Sequence, residues 1–358
     1  MKLESKAKLE ELSYILKVNR NTIVTVGVSS CSIPKGANDV YNALKEKFKD
    51  SKFIEVRPAG CNGICHAEPM VSVYVPGYVK PRVYEQVLAD DIETMSFLAP
   101  LDTRQHPYNR HQKRLVTARC GIVNPETIGD YIRLDGYKAL AKAIEKSPED
   151  IIAEVEKSGL RGRGGAGFSA ARKWKSCRAA HGTEKYLIAN GHNGDPGAYS
   201  DRNLMESDPH SILEGMMIAA YAIGATDGII YAESEFPLAI SRLEKAIKDA
   251  REDGILGKGI LGKQGFDFNI EIHKAAGVYV CGESTALMAS IEGKVGEPRV
   301  KHIHTSESGV FEKPTTLNNV ETLANVPVII SMGADNYSKI GTETSKGTKV
   351  FSLAGKIR

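Results

Sequence analysis

The spacing of hydrophobic positions changes near residue 120 and divides the chain into two parts. Before that point, short β-branched runs alternate with loops that contain glycine and cysteine. The pattern predicts strands over 22–28, 52–57 and 70–75, and helices over 37–48 and near 80–90. This order of elements predicts a compact α/β unit of about the size of a thioredoxin fold: strand, loop, helix, strand, loop, strand and helix.

Beyond residue 120 the apolar positions follow longer helical periods separated by glycine-rich loops. Ser147 and Pro148 predict a helix start, and Gly159 predicts its end, because these residues favour the N-cap, the first turn and the C-cap. The remaining predicted elements are strands over 186–190, 228–232 and 268–272, and helices over 209–223 and 237–252. Alternating strands and helices of these lengths predict an α/β domain.

Composition and charge exclude several classes of protein. Apolar residues make up 42% and charged residues 25% of the 358 positions, which is ordinary for a globular protein. A formal charge of +3 is too small to indicate nucleic-acid binding. The first 17 residues are amphipathic and unlike a signal peptide, and no apolar run is long enough to span a bilayer, so we predict a cytoplasmic location. Six dispersed cysteines do not form a secreted disulfide pattern, which makes clustered thiols candidates for metal binding.

A glycine-rich segment, GLRGRGGAGF, occupies residues 159–168. Gly162, Gly164 and Gly167 satisfy G-x-G-x-x-G, but that dinucleotide fingerprint requires a preceding strand, and here a capped helix precedes it. No Gly-Lys-Ser/Thr follows, so the segment is not a Walker loop either. The missing Cβ atoms would let a flat ring or a phosphate approach the backbone. For this loop alone, a flexible surface turn and a ligand-binding loop both remain open.

Six ordered segments between residues 158 and 332 resemble a known family. They read SGLRGRGGAGF, DPGAYSDR, EGMMIAAYAIGA, GVYVCGE, EGKVGEPR and KPTTLNNVETLANVP. In this order they resemble the NADH-binding FMN flavoprotein subunit of complex I and of related NAD(P)-linked hydrogenases and formate dehydrogenases. The resemblance implies an α/β chain with a thioredoxin-like [2Fe–2S]-type domain over 1–97, a linker over 98–119, an FMN- and NAD(P)H-binding domain over 120–333, and the truncated start of a ubiquitin-like (SLBB-type) domain over 334–358.

The same resemblance implies which residues hold FMN and the pyridine nucleotide. The segment TTLNNVET also favours an anion site independently, because a helix start offers N–H groups and the positive end of the helix dipole. For Asn318 and Asn319, N-capping is the simpler alternative. No residue is assigned a catalytic role, since the flavin itself carries the redox chemistry. The cofactor-binding residues implied by the resemblance are Gly162, Arg163, Gly164, Gly165, Phe168, Lys173, Asn190, Asp195, Tyr279, Gly282, Glu283, Ser284, Lys301, Asn318, Asn319 and Thr322.

Several positions expected to face the nucleotide depart from the family pattern. The acidic run Asp-Glu-Gly-Glu reads His-Asn-Gly-Asp over 192–195, and Cys-Gly-Glu-Glu ends in Ser284. Two aromatic positions are Ser176 and His304, whereas Phe168 keeps the third. Fewer carboxylates and added histidines would also admit a 2′-phosphate. We therefore rank NADH first as the electron donor, NADPH second and a protein third.

Three cysteines of the N-terminal part resemble the ligands of a thioredoxin-like [2Fe–2S] domain. Cys61 and Cys65 have the C-x₃-C spacing, and Cys31 matches the second member of the preceding pair, but the first member falls on Val26. A [2Fe–2S] cluster normally has four protein ligands. Either another residue such as His66 supplies the fourth, or the cluster is labile or absent. We rank a [2Fe–2S] cluster first, an empty structural domain second and zinc third.

The function implied is an FMN-containing NAD(P)H dehydrogenase (diaphorase) subunit that passes electrons from NADH through FMN to the iron–sulfur centres of a larger redox complex. The alternative is a non-enzymatic flavin electron-transfer or assembly subunit that has lost pyridine-nucleotide binding. The family continues into a domain that carries a [4Fe–4S] cluster, whereas this sequence ends at Arg358 within an expected strand. The expected partners are therefore a thioredoxin-like ferredoxin subunit and a chain that supplies the [4Fe–4S] domain, with no nucleic acid.

Overall fold

The N-terminal part folds around a four-stranded mixed sheet. The computed structural model describes residues 2–18, 21–78, 80–95, 108, 110–275, 277–300 and 304–356. Strand β1 pairs in parallel with β2 and antiparallel with β3, and β4 adds antiparallel to β3, in the order β2-β1-β3-β4. The predicted α/β character is confirmed. The elements are α1 (Lys6–Lys17), β1 (Thr22–Gly27), α2 (Ala37–Lys47), β2 (Ile54–Ala59), β3 (Val71–Tyr74) and β4 (Arg82–Tyr84).

The helix predicted near residues 80–90 is wrong. Arg82–Tyr84 forms β4, and Ala89–Ile92 forms one short 3₁₀ turn. The segment is a strand because β3 offers it an unpaired edge, and Val71–Val73 pair with it in register. A short edge strand of this kind carries little periodicity of its own, so the long-range partner decides its conformation. Most of the predicted linker lies outside the described residues.

Helix α1 packs on the second unit rather than on the N-terminal sheet. Leu3 and Leu9 are fully buried in the large core formed by the residues after 115. Ser13 Oγ donates a hydrogen bond to the carbonyl of Ile132, at 3.2 Å. The N-terminal sheet has a separate core that includes Val24, Val26 and the apolar face of α2. In packing terms, α1 therefore belongs with the residues after 115, although the expected first domain includes it.

The second unit contains a parallel sheet between helices. All of its strand pairs are parallel, in the order β7-β6-β5-β8, which confirms the predicted α/β pattern. The sequence pattern does not predict strand β8, because the polar run TTLNN lacks an apolar alternation. The elements are α3 (Ile128–Arg133), α4 (Lys138–Ala143), α5 (Pro148–Ser158), α6 (Ala170–Ala179), β5 (Tyr186–Gly191), α7 (Ser200–Ser207), α8 (Pro209–Ile223), β6 (Asp227–Glu233), α9 (Pro237–Glu252), β7 (Asn269–Ala275), α10 (Ser284–Ile291), β8 (Thr315–Asn319), α11 (Val320–Met332) and α12 (Ala334–Ser338).

Local capping chemistry fixes the helix bounds as predicted. Ser147 Oγ accepts a hydrogen bond from the N–H of Asp150, and Gly159 ends α5 at φ +70°. Helix α8 is buried along nearly its whole length and ends at Gly224, also in the left-handed region. Gly215 lets α8 approach α11 closely, since a Cβ there would lie 2.1 Å from the carbonyl oxygen of Leu323. The sheet thus rests on a helical layer with little room for larger side chains.

The strand expected after residue 348 is absent from the described residues, because that stretch finds no strand to pair with. Val350 instead donates its N–H to Glu321 Oε1, at 3.1 Å, and Ser352 Oγ accepts the N–H of Tyr199. These contacts lay the C-terminal segment over the start of α11. Among the described residues, no helix has both the length and the apolarity needed to cross a bilayer.

Candidate functional site

The carboxyl ends of β5 and β8 form the centre of the candidate site. Asn190 and Asn319 are register partners at these two ends. Open parallel sheets bind ligands outside the carboxyl ends of their strands. Asn319 also begins α11, so the site combines this edge with the positive end of a 13-residue helix. The sheet thereby brings together two residues that are far apart in sequence.

The glycine-rich loop lies over the end of β8. The N–H of Gly162 donates to the carbonyl of Phe168, at 2.8 Å, which closes the loop on itself. A Cβ on Gly164 would lie 3.3 Å from Asn319 Cβ, so the loop backbone touches the candidate site directly. Gly165 and Gly167 have φ values of +109° and +61°, which glycine adopts without strain. The loop is therefore a shaped wall of the site rather than a free surface turn.

Arg163 anchors the loop from behind. Its guanidinium donates to the carbonyls of Thr348, Lys346 and Arg161, and its backbone N–H donates to Thr322 Oγ1 at 2.9 Å. The side chain is 1% exposed and lies 3.9 Å from a carboxylate oxygen of Glu321. Burial raises the pKa of Glu321 to about 7. The guanidinium therefore holds the C-terminal segment and does not point toward a ligand.

Asn319 uses all of its side-chain atoms within the protein. Its Oδ1 accepts the N–H of Glu321 at 2.8 Å, which caps α11. Its Nδ2 donates to Asp201 Oδ2 at 2.5 Å. Burial raises the pKa of Asp201 to about 6, while the hydrogen bond from Asn319 opposes that rise. N-capping, the simpler of the two expected roles, is thus confirmed for this side chain.

Two further predicted residues, Asn318 and Lys173, form hydrogen bonds at β8. Asn318 is buried, and its Oδ1 accepts the indole N–H of Trp174 at 3.0 Å. Lys173 Nζ donates to the carbonyl of Leu317 at 3.0 Å and lies 5.9 Å from the centre of the Phe168 ring. The Phe168 ring itself is 47% exposed. Of these groups, the ring of Phe168 is the one with a face open to an incoming ligand.

The opposite wall is formed by the segment after β7 and the segment after β5. Asn190 Nδ2 donates to the carbonyl of Gly282 at 3.1 Å, and its Oδ1 accepts the N–H of His192. The His192 ring occupies the space beside Gly194 and Gly282 and stacks on Tyr231 at 5.9 Å. Tyr279 is 67% exposed. The structure therefore brings the predicted residues of β5 and of the 279–284 segment together, with His192 filling the space between them.

Glu283 caps α10 and holds Ser284. Its carboxylate accepts the N–H groups of Thr285 and Ala286, at 2.7 and 3.1 Å, and the Ser284 hydroxyl at 2.9 Å. A second carboxylate at position 284 would face the first one, whereas a hydroxyl donates to it. The serine thus changes both the charge and the hydrogen bonding of this wall.

The remaining predicted nucleotide-facing positions are less enclosed. Ser176 Oγ and Ser306 Oγ lie 2.7 Å apart, so two hydroxyls pair where the family pattern has an aromatic ring. Asp195 and His304 are exposed, and Lys301 lies outside the described residues. The dinucleotide side therefore offers fewer stacking faces than the family pattern implies.

The three predicted cysteines of the N-terminal unit converge. The Sγ atoms of Cys31, Cys61 and Cys65 all lie within 4.8 Å of one another, and those of Cys61 and Cys65 lie 3.6 Å apart. Cys61 Sγ accepts the N–H of Gly63 at 3.2 Å. Hydrogen bonds from the other two thiols lower the pKa of Cys65, whereas the pKa of Cys61 is raised. Three thiols this close fit a metal or iron–sulfur centre, because thiolates are the ligands that such centres use.

Helix α7 joins the cysteine loops to the sheet edge that carries Asn190 and Asn319. Ser207, at its end, donates to the carbonyl of Cys61 at 3.4 Å, and Glu206 accepts both the N–H and the hydroxyl of Ser30. Asp201, near its start, contacts Asn319. Six residues of helix separate Asp201 from Ser207, which corresponds to about 9 Å along the axis. The two candidate cofactor sites therefore lie at opposite ends of one short helix.

Sequence reasoning missed three buried acids near these sites: Asp201, Glu321 and Glu68. Asp201 and Glu321 lie within two of the segments that carried the family resemblance, DPGAYSDR and KPTTLNNVETLANVP, so their positions were available as a signal. The burial of Glu68 depends on distant parts of the chain, and its local sequence gives no sign of it.

Comparison with known proteins agrees with this geometry. Residues 155–328 match the family model described as the Nuo51 FMN-binding domain. Over 249 residues the chain is 54% identical to the NADP-reducing hydrogenase subunit HndC of Solidesulfovibrio fructosivorans, covering 70% of this chain and 50% of that protein. It is 47% identical over 232 residues to a NADH-quinone oxidoreductase subunit of Aquifex aeolicus, covering 65% and 54%. The chain thus spans about half the length of these curated relatives.

Solved structures extend the similarity beyond the matched domain. A NAD⁺-reducing [NiFe]-hydrogenase in the H₂-reduced state has a chain similar to this one, with a TM-score of 0.56 and 27% sequence identity. The match covers 96% of this chain and 62% of the hydrogenase chain. It therefore includes the N-terminal unit as well as the parallel sheet.

Proposed function

We propose that the chain is an FMN-containing NAD(P)H dehydrogenase subunit of the flavoprotein family of complex I and NAD(P)-linked hydrogenases. The match of residues 155–328 to the Nuo51 FMN-binding domain and the similarity to the curated relatives support this proposal. The subunit takes electrons from NADH or NADPH and passes them to iron–sulfur centres of a larger, cytoplasmic redox complex. The observation that carries this proposal is the convergence of the glycine-rich loop, the end of β5 and the start of α11 at one edge of the parallel sheet.

The residues of this edge fit a flavin mononucleotide. Gly164 and Gly165 leave the loop backbone open to a flat ring, and the start of α11 favours the phosphate. When bound, FMN accepts a hydride from nicotinamide and releases electrons one at a time. The contribution of this chain is to shape the site: Arg163 fixes the loop, Asn319 fixes the helix start, and Glu283 orders the opposite wall.

The cysteine cluster supports electron transfer within the same chain. Cys31, Cys61 and Cys65 would bind a [2Fe–2S] cluster, and the about 9 Å length of α7 between Asp201 and Ser207 gives a short route to the flavin edge. Partner subunits with further iron–sulfur centres, including a thioredoxin-like ferredoxin, would then receive the electrons.

An anaerobic titration tests the enzyme activity. The FMN-loaded chain is mixed with NADH or with NADPH, and the flavin absorbance is followed. We expect bleaching by at least one nucleotide, and micromolar binding measured at equilibrium. A chain that holds FMN stoichiometrically but is bleached by neither nucleotide would contradict the enzyme proposal.

One observation favours the second candidate function, a flavin electron-transfer subunit without nucleotide binding. The hydroxyl pair of Ser176 and Ser306 replaces a stacking ring, and such a stack contributes about 0.5–1.5 kcal/mol beyond burial. Replacing Ser176 with Phe separates the candidates. If the wild type binds nucleotide, the Phe variant should bind it more tightly; if the site no longer accepts nucleotide, a single ring will not create binding.

A further inference from the structure

The three-cysteine cluster needs a fourth ligand that the sequence did not identify. Iron–sulfur clusters of the [2Fe–2S] type are held by four protein ligands. The position that the family pattern gives to the fourth cysteine is Val26, and its side chain lies fully buried in the apolar core of the N-terminal sheet. Valine has no donor atom for a metal. The ligand must therefore come from another residue.

His66, the nearest candidate in sequence, does not join the cluster. The group of ligand atoms that all lie within 4.8 Å of one another contains neither His66 nor Glu68, so burial and side-chain contacts distinguish these two candidates. The His66 ring packs edge-on against Tyr108, with the ring centres 6.4 Å apart, and its side chain is exposed. An exposed imidazole that packs on a surface tyrosine is a weaker candidate than a buried carboxylate.

Glu68 is the buried carboxylate beside the cluster. Its residue surface is 2% exposed, and the thiols of Cys31 and Cys61 are among the groups that interact electrostatically with its carboxyl group. Its Oε2 also accepts the N–H of Met70 at 2.8 Å. The carboxylate occupies the space that a side chain at Gly27 would need, since a Cβ there would lie 2.4 and 2.6 Å from its two oxygens. Glycine at position 27 is therefore what admits Glu68 to this place.

A charged carboxylate at the buried position of Glu68 would need a cationic partner. Buried carboxylates are paired with a cation or coordinate a metal, because removing an unpaired charge from water is very unfavourable. Within the described residues, Glu68 forms no ion pair. Lys35, a cation in its surroundings, donates instead to the carbonyl of Cys65 at 2.8 Å. A metal centre at the three thiols would supply the missing positive charge.

We propose that Glu68 is the fourth protein ligand of the iron–sulfur centre at Cys31, Cys61 and Cys65. A tetrahedral metal with metal–sulfur bonds of about 2.3 Å holds two of its sulfurs about 3.8 Å apart. The 3.6 Å between the sulfurs of Cys61 and Cys65 is close to this spacing, so these two thiols would bind one metal ion. Cys31 and Glu68 would complete the set of four protein ligands.

This inference rests on the proposed iron–sulfur centre but is independent of the flavin and nucleotide chemistry. The test uses the full chain, reconstituted anaerobically with iron and sulfide, and three substitutions: Glu68→Gln, Glu68→Cys and, as the matched control, His66→Ala. Iron and sulfide content, the visible spectrum and the EPR spectrum of the reduced protein are measured. FMN content and circular dichroism show whether each variant is folded.

We expect Glu68→Gln to retain about tenfold less cluster after desalting, in line with the loss of a ligand contact. Glu68→Cys should keep the cluster and shift its charge-transfer bands to lower energy, because a thiolate replaces an oxygen ligand. His66→Ala should match the wild type. The inference is overturned if both Glu68 variants show wild-type spectra and cluster content, or if His66→Ala is the variant that loses the cluster.

The controls separate this inference from the proposal on which it rests. If the wild-type chain takes up no iron and sulfide, or binds only one zinc ion, both the proposed centre and the role of Glu68 are overturned. If the wild type holds a cluster that is indifferent to Glu68, the centre stands and only the ligand assignment fails. A Glu68→Cys variant with wild-type FMN content and altered EPR would support the assignment even if Glu68→Gln were unstable.

Discussion

Replacing Asn319 with alanine removes two interactions at the flavin edge at once. The first is the N-cap of α11, in which Oδ1 accepts the N–H of Glu321, and its loss costs about 1 kcal/mol. The second is the hydrogen bond from Nδ2 to the buried carboxylate of Asp201; hydrogen bonds to charged groups contribute about 1.5–3 kcal/mol. We therefore expect Asn319→Ala to lower the free energy of unfolding by about 2.5–4 kcal/mol at pH 8.

The pH dependence distinguishes the two contributions. The pKa of Asp201 is about 6 in the folded protein, above the ordinary value of 3.8, because burial disfavours the charged form. The folded state therefore binds the proton more tightly, so the stability from this group is complete below about pH 4 and is lost as the pH rises through 6. With about 1.4 kcal/mol for each pKa unit, this carboxyl alone accounts for about 3 kcal/mol.

At pH 5 Asp201 is mostly protonated. Losing the hydrogen bond from the Asn319 amide to this neutral group then lowers the free energy of unfolding by only about 0.5–1.5 kcal/mol, in addition to the loss of the N-cap. The destabilisation by Asn319→Ala should therefore be smaller at pH 5 than at pH 8, as measured by urea unfolding of the flavin-free chain. Asn336→Ala serves as the control, because the exposed Asn336 amide donates to a helix carbonyl at 2.9 Å. Its loss should change the free energy of unfolding by less than about 0.5 kcal/mol. Equal losses at both pH values, or a loss no larger than that of Asn336→Ala, would refute the reasoning.

Two other substitutions, Gly215→Ala and Gly60→Ala, test the packing that positions the sites, with Gly129→Ala as a control for the first. Gly215→Ala should lower the free energy of unfolding by about 3 kcal/mol in urea, because its Cβ would lie 2.1 Å from the carbonyl oxygen of Leu323. Gly129→Ala lies in a helix with room for a methyl group and should raise the free energy of unfolding by about 0.5–1 kcal/mol. Effects of the same sign would contradict the close contact between α8 and α11. Gly60→Ala would place Cβ 2.4 Å from Ser207 Cα and should loosen the cysteine loops from α7, so we expect faster chemical modification of the three thiols with FMN content unchanged. Thiol reactivity equal to that of the wild type would show that this contact does not hold the loops.

The sequence by itself determined the features that depend on neighbouring residues. Ser147 and Gly159 bound α5 as predicted, because capping involves only the first and last turns of a helix. The glycine-rich loop and the three cysteines are likewise recognisable from their spacing. Strand β8 escapes prediction and β4 resembles a helix in sequence, because each is defined by the strand beside it rather than by its own alternation.

The tertiary structure alone decided the direction and the partners of the polar side chains. Arg163 is expected at the flavin, but carbonyls near residue 348 hold its guanidinium behind the loop. Glu68 is three positions from Cys65 in sequence, yet its burial depends on the space left by Gly27 at the end of β1. Local sequence specifies the elements because the interactions that begin and end them are short-range. It does not specify which buried charge meets which partner, because those contacts form only when distant segments pack together.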